Sequence, residues 1–343
     1  MISGVPQGTV LGPILFVLYI NDLLGSLSHS KGFSFADDTK LIGAIRDSCS
    51  TQSLQRDLNS VILWSQINNM ELHEQKFEVL SYSLNSSRLL RELPFYPMNV
   101  EYTTPKGHVI EPCETVKDLG VYISSNRSWA PHVEKTVQGA RKMAAWVLSA
   151  FSDRTPMLMM ILYKSMVRSK LEYCSPVWNP ARIMDIQKLE TVQRSFTRKV
   201  LGCSEITYWE RLKKLGIMSL QRRRERYCII HVWKILNEQA PNDVGFQFYT
   251  HTRQGIRAQI PPINKKAQLS VQTDYDNSFR VRAAKLWNVL PADLGTLKTL
   301  ESFKIGLGRF LEQYPDTPPV PGYTAVNDNS LLSWRRTHAM QLS

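Results

Sequence analysis

The chain has 343 residues, 43% hydrophobic and 21% charged, with a formal net charge of +12, values that suit a folded protein with room for more than one core. Cys49, Cys113, Cys174, Cys203 and Cys228 stand at least 25 residues apart, which excludes CxxC and zinc-finger spacing and fits free thiols in a reducing, intracellular compartment. The start lacks the basic region of a secretory leader, and the longest apolar stretch, Val10 to Ile20, carries Gly12 and Pro13 and falls far short of a membrane span.

The positive charge is concentrated. Residues 131–240 hold 20 Lys and Arg against 9 Asp and Glu, whereas residues 1–130 hold 10 against 13 and residues 241–343 hold 12 against 8. A basic face with interleaved aromatics is a phosphate-backbone binder or a merely solvated helical surface, and charge alone leaves both open.

In chain order, Ser3 to Gly12 is a Gly-, Pro- and Gln-rich loop, and Ile14 to Leu24 reads as a buried helix. Short apolar strands flank Ala36-Asp37-Asp38-Thr39, which predicts a hairpin with an acidic tip. Leu54, Leu58, Val61, Ile62 and Ser65 mark one helical face. Phe77 to Ser83, Asn99 to Thr103 and Val116 to Ser124 read as strands. Helices follow over 131–151, 156–171, 183–201 and 219–237, with Ile186, Leu189, Gln193, Phe196 and Val200 on one side of the third. Beyond Pro241 come short strands, including Gly255 to Ile260, and two short amphipathic helices around Leu286 and Phe303. Four prolines between 315 and 321 forbid a helix and predict an extended or disordered tail. The domain expectation is 1–127, 128–240, 241–314 and a 315–343 tail, in an α+β chain.

Two adjacent carboxylates at a stiff tip repel unless a cation neutralises them. Magnesium takes hard oxygen ligands, one or two carboxylates plus substrate phosphates. An isolated Asp-Asp pair is equally explained by the ordinary turn chemistry of Asp. The neighbouring motifs decide between the two.

Phe35-Ala36-Asp37-Asp38 resembles the signature of reverse transcriptases, and Gly4-Val5-Pro6-Gln7-Gly8 with Leu11-Gly12-Pro13 looks like the loop-and-helix motif that precedes it. With Tyr19-Ile20-Asn21-Asp22-Leu23 the spacing is similar to non-LTR retrotransposons of the LINE type. Lys117-Asp118-Leu119-Gly120-Val121 resembles the family's primer-grip hairpin. Leu171 to Pro180 and Leu286 to Pro291 resemble segments downstream of the polymerase in jockey- and CR1-like elements.

The resemblance implies a partial polymerase palm in an antiparallel sheet, then a helical thumb, then a small C-terminal α/β region. Asp37 would ligate both Mg2+ ions of a two-metal nucleotidyl transfer, with Asp38 supporting the site. Phe35, Leu119 and Gly120 would hold the primer, and Gln7 and Gly8 would line the nucleotide pocket. Lys76 would lie near the triphosphate, although His73 stands where the family usually has Asn. Asp22 and Asp118 read as turn or cap residues, and Trp178, Trp209 and Trp233 as core. Arg194, Arg198, Lys199, Arg222, Arg223 and Arg226 are the candidates for gripping an RNA template–DNA primer duplex, with some of them instead pairing with Glu190 and Glu225. The implied setting is a ribonucleoprotein in cytoplasm and nucleus.

In the family a third aspartate comes from a strand N-terminal to the Pro6-Gln7-Gly8 loop, and five residues precede Pro6 here. The expectation is therefore that this chain alone does not polymerise, since losing a bridging ligand costs a thousandfold or more, at about 1.4 kcal/mol per factor of ten. The competing reading is a non-catalytic, basic nucleic-acid-binding remnant of the same family. A maturation factor of the intron-encoded type is disfavoured by Asn21-Asp22 and by the segments around Trp178 and Trp287.

Overall fold

In a computed structural model, the described residues are 8–82, 101–202, 206–263, 269–314, 316 and 330–332. They divide into two compact units, residues up to Asp118 with Ile123–Ser128, and Leu119–Tyr122 with Trp129 onward.

The first unit begins with helix α1 (Gly12–Ile20) and a 3-10 turn over Leu23–Ser26, followed by the hairpin β1 (Lys31–Phe35) and β2 (Asp38–Ile42). Helix α2 (Ser48–Ile67) starts at Asp47, whose carboxylate accepts from the Ser50 amide while the Ser50 hydroxyl returns to the Asp47 amide, a capping box that fixes the helix start. Ile20, Leu23, Val61 and Trp64 form the core, with Phe16, Leu27 and Leu41 packed against it. Gln55 of α2 exchanges hydrogen bonds of 2.7 and 3.0 Å with the Thr103 backbone of β3 (Tyr102–Thr103), which pairs with β4 (Val109–Ile110).

Several expectations change here. Helix α1 is not buried: only its Gly12–Phe16–Ile20 stripe turns inward, while Ile14, Val17 and Leu18 are 54–68% exposed. Four-residue spacing brings a single stripe to the core, and no described residue covers the rest. The strand expected over Phe77–Ser83 is reduced to an isolated bridge between Val79 and Pro112, preceded by a 3-10 turn at Glu74–Lys76. Val116–Ser124 is two strands, β5 (Thr115–Asp118) and β6 (Val121–Ser124), because Leu119 and Gly120 both adopt positive φ, 44° and 85°, the pairing a tight hairpin turn demands. The palm sheet expected here is replaced, among the described residues, by separate two-stranded ribbons.

The second unit is mainly helical: α3 (Ala130–Ala150), α4 (Pro156–Leu162), α5 (Arg168–Glu172), α6 (Ile183–Leu201), α7 (Tyr208–Leu215) and α8 (Leu220–Leu236). The helix expected over 156–171 is present but loosened, since a π segment over Tyr163–Val167 joins α4 to α5. Beyond α8 lie the hairpin β7 (Phe248–His251) and β8 (Gly255–Ala258) and the helices α9 (Leu269–Asn277), α10 (Phe279–Trp287) and α11 (Leu300–Glu312). Helix α9 was not anticipated.

No boundary appears at residue 240. Ile229, Val232 and Trp233 of α8 share one core with Ala258, Leu286, Trp287, Phe303 and Leu307, and the Trp233 indole donates to the Leu297 carbonyl at 3.0 Å. Nor is all of 315–343 a loose tail. Asp316 accepts the Ser219 hydroxyl at 2.7 Å, and Leu331 is fully buried with its amide on Glu225 at 3.0 Å. Four prolines forbid a helix across 315–321, but they do not prevent short contacts on either side of it.

Candidate metal and nucleic-acid site

The β1–β2 register runs from Lys31↔Ile42 to Phe35↔Asp38, which leaves Ala36-Asp37 as a two-residue turn. Ala36 adopts φ +50°, a left-handed conformation that costs a non-glycine residue about 1–2 kcal/mol. The turn leaves Asp37 and Asp38 exposed side by side at the tip. Alternation places Phe33, Phe35, Asp38 and Lys40 on one face. Phe33 is 44% and Phe35 66% exposed. Lys40 on that face pairs with Asp118.

The other face approaches the core so closely that a Cβ on Gly32 would run into the Leu24 and Leu27 side chains. A buried carboxylate anchors the base of the hairpin. Asp57 of α2, 1% exposed, accepts the amides of Ser28 at 3.0 Å and His29 at 2.9 Å, and both the amide and the hydroxyl of Ser30. Burial pushes the Asp57 carboxyl up, but the hydrogen bonds from Ser28, Ser30 and His29 outweigh it and hold the group below the ordinary 3.8. Asp22, read as a turn residue, precedes the first 3-10 turn and accepts the Trp64 indole at 3.1 Å.

The other expected residues are more dispersed. Gly8 is exposed at φ +84°, where glycine is favoured, and Gln7 lies outside the described residues. Lys76 is exposed at the end of its 3-10 turn and forms no ion pair with Asp37 or Asp38. In the second unit, the Leu119 carbonyl accepts the Tyr173 hydroxyl at 3.0 Å, and a Cβ on Gly120 would lie 3.2 Å from that ring.

Arg194, Arg198 and Lys199 are exposed on α6, with Arg194 stacked over the Tyr208 ring at 4.7 Å. Arg222 does not face solvent. It is 1% exposed, reaches the Tyr314 carbonyl at 3.5 Å and lies 3.8 Å from Glu225, so it cannot meet a phosphate. Arg223 is spent on Glu172 and on the Tyr227 hydroxyl, at 3.0 and 2.7 Å. Arg226 is half-buried, with Nη2 3.5 Å from the Lys304 carbonyl. Helix α8 is enclosed on most sides, so its arginines turn to internal acceptors, because an unpaired buried charge is far costlier.

Sequence reasoning missed the network behind this. Gln193 accepts the Tyr163 hydroxyl at 2.7 Å and donates to the Tyr208 hydroxyl at 2.9 Å. Tyr208 in turn donates to buried Glu190, which also accepts the Leu220 amide at 3.2 Å. Burial pushes the Glu190 carboxyl up. The available signal was Gln193 on an otherwise apolar stripe. Trp178 and Trp233 are fully buried, as expected, while Trp209 is half-buried.

The two tip aspartates are hard oxygen donors, a set that fits one Mg2+ when substrate phosphates complete its shell. Among the described residues, no group of three or more His, Cys, Asp or Glu is placed to hold a metal ion. No described helix is long and apolar enough to cross a membrane.

Residues 2–123 match the family profile "Reverse transcriptase (RNA-dependent DNA polymerase)". The chain is 24% identical over 211 residues to a probable RNA-directed DNA polymerase from transposon X-element of Drosophila melanogaster, covering 59% of this chain and 22% of the relative. It is 21% identical to the RNA-directed DNA polymerase from mobile element jockey of the same fly, covering 58% and 22%. A probable polymerase from transposon BS gives 22% identity, with 59% and 23% covered. The match thus spans less than a quarter of these relatives' length. No solved structure matches the chain.

Proposed function

We propose that the chain serves RNA-directed DNA synthesis by a non-LTR retrotransposon, with the β1–β2 tip as its metal-holding corner and an RNA template with a DNA primer as its partners. The observation that carries this is the exposed Asp37-Asp38 pair on a two-residue turn inside the segment that matches the reverse transcriptase family. Asp37 and Asp38 would supply the carboxylate oxygens, and bound Mg2+ neutralises charge on the triphosphate and leaving group. Phe35, paired across the strands with Asp38, offers an apolar surface for the primer terminus. Gln7 and Gly8 border the nucleotide, Lys76 lies toward its phosphates, and Leu119-Gly120 holds the primer. Exposed Arg194, Arg198 and Lys199 contact backbone phosphates, which fixes position without reading sequence. The working form is a ribonucleoprotein of cytoplasm and nucleus.

A second reading, non-catalytic binding of nucleic acid, is favoured by the donor count, since two tip carboxylates serve one ion better than two. By this count the purified chain gives no templated primer extension, and extension would overturn it. Mg2+ added with a deoxynucleoside triphosphate should shift the NMR signals of Asp37 and Asp38, and Asp37→Asn with Asp38→Asn should abolish the response. Unmoved signals in the unmodified chain would sink the metal-site reading.

A further inference from the structure

A cavity of about 440 Å³ lies in the second unit, lined by Lys164, Arg168, Tyr173, Ser175, Tyr227 and Lys234. None of these is among the residues assigned above to catalysis or backbone contact, and Tyr173 and Ser175 come from the Leu171–Pro180 segment singled out by its motif.

Three independent features mark it as more than a packing gap. Lys164 sits in the π segment Tyr163–Val167, and such departures from α geometry are rare and concentrate at functional sites. Ser175 is 1% exposed, and its hydroxyl has no hydrogen-bond partner among the described residues; a native fold seldom leaves a buried polar atom in that state.

The charge is also lopsided. Glu172, the one carboxylate of the lining, is already engaged by Arg223, by the Tyr227 hydroxyl at 3.1 Å and by Arg168 at 3.6 Å. Lys164 and Lys234 make no ion pair among the described residues. Two free ammonium groups, an unused hydroxyl and two tyrosine rings therefore share one concave space.

Cations and a hydroxyl suit phosphate oxygens, and tyrosine rings suit the flat face of a base, the combination by which single strands are held. The volume falls in the range of small-molecule pockets, about 300–1,000 Å³, which admits one nucleotide and excludes a duplex. We propose that this cavity takes a single phosphorylated nucleotide of a single-stranded nucleic acid, with its phosphate at Lys164, Lys234 and Ser175 and its base against Tyr173 or Tyr227. The site stands whether or not the hairpin tip binds metal.

The test uses the full 343-residue chain and a fluorescent single-stranded oligonucleotide carrying a 5′ phosphate. Lys164→Gln with Lys234→Gln should weaken binding about tenfold and reduce the log–log salt slope by about 0.7, the share of the one phosphate that both lysines serve. Ser175→Ala should weaken binding severalfold and leave that slope unchanged, because it removes a neutral group. A nucleoside 5′-monophosphate should compete and the bare nucleoside should not. Circular dichroism and melting checks that the variants fold. Unchanged affinity and slope in the folded double variant would overturn the proposal. So would equal competition by the bare nucleoside, or a double variant that loses inorganic phosphate but keeps the oligonucleotide.

Discussion

Asp57 shows how much one side chain can determine. Its carboxylate gathers three consecutive amides and a hydroxyl just before β1, so the placement of the acidic hairpin rests on a residue that no motif contains. Because its folded pKa is depressed, the stability it adds is fully present above the ordinary 3.8 and is lost as pH falls below that value. Asp57→Asn removes the charge and turns an amide group toward backbone donors, which should cost about 2–4 kcal/mol. Denaturant unfolding of the first unit measures that loss, and the acid-side decline of stability below pH 3.8 should become shallower in the variant. Ala36 makes the complementary point, since strain accepted at a single turn residue holds two repelling carboxylates at the tip.

Among elements, α6 and α8 look alike as basic amphipathic helices yet differ in what their charge does. Replacing Arg194, Arg198 and Lys199 of α6 with Gln should lower the log–log salt slope of duplex binding by about 2–3, at about 0.9 per phosphate contact. Arg222→Met should leave the slope unchanged and instead destabilise the fold by about 3–5 kcal/mol, because Glu225 would be left buried without its cation. The bounds of both helices were legible in the sequence: periodicity marked 183–201, and Ser219 caps α8 by accepting the Arg222 amide. The fate of the arginines was not. A charge run reads identically whether water or a carboxylate from another helix receives it, and Glu172 and Glu190 lie 30 or more residues before α8. Phe77–Ser83 failed for a related reason. A strand is defined by its partner, and among the described residues this one has a single bridge, Val79 to Pro112, with the Cys113 amide on the Val79 carbonyl. The acidic hairpin was legible throughout because turn chemistry and strand alternation are both local.

Across the whole molecule, the two units are stabilised unequally. The first relies on a small core around Ile20, Leu23, Val61 and Trp64 and on polar anchors, while the second shares a continuous core from α8 to Leu331. Burial of apolar area is the dominant stabilising contribution, at about 25 cal/mol per Å², so calorimetry should resolve two transitions with the first unit melting at the lower temperature. Loss of helical signal at 183–201 before the hairpin signals disappear would contradict that order.

A lone pair of strands resists torsion less than a broader sheet does. Among the described residues β1 and β2 pair with no third strand, so twisting of the ribbon about its long axis is opposed by side-chain contacts such as that of Lys40 with Asp118 and not by a neighbouring strand. Each such movement re-aims Asp37 and Asp38 together, like a bit turning on its shank. The aim of the two oxygen donors therefore depends on whatever grips the ribbon's outer edges as well as on the turn that carries them.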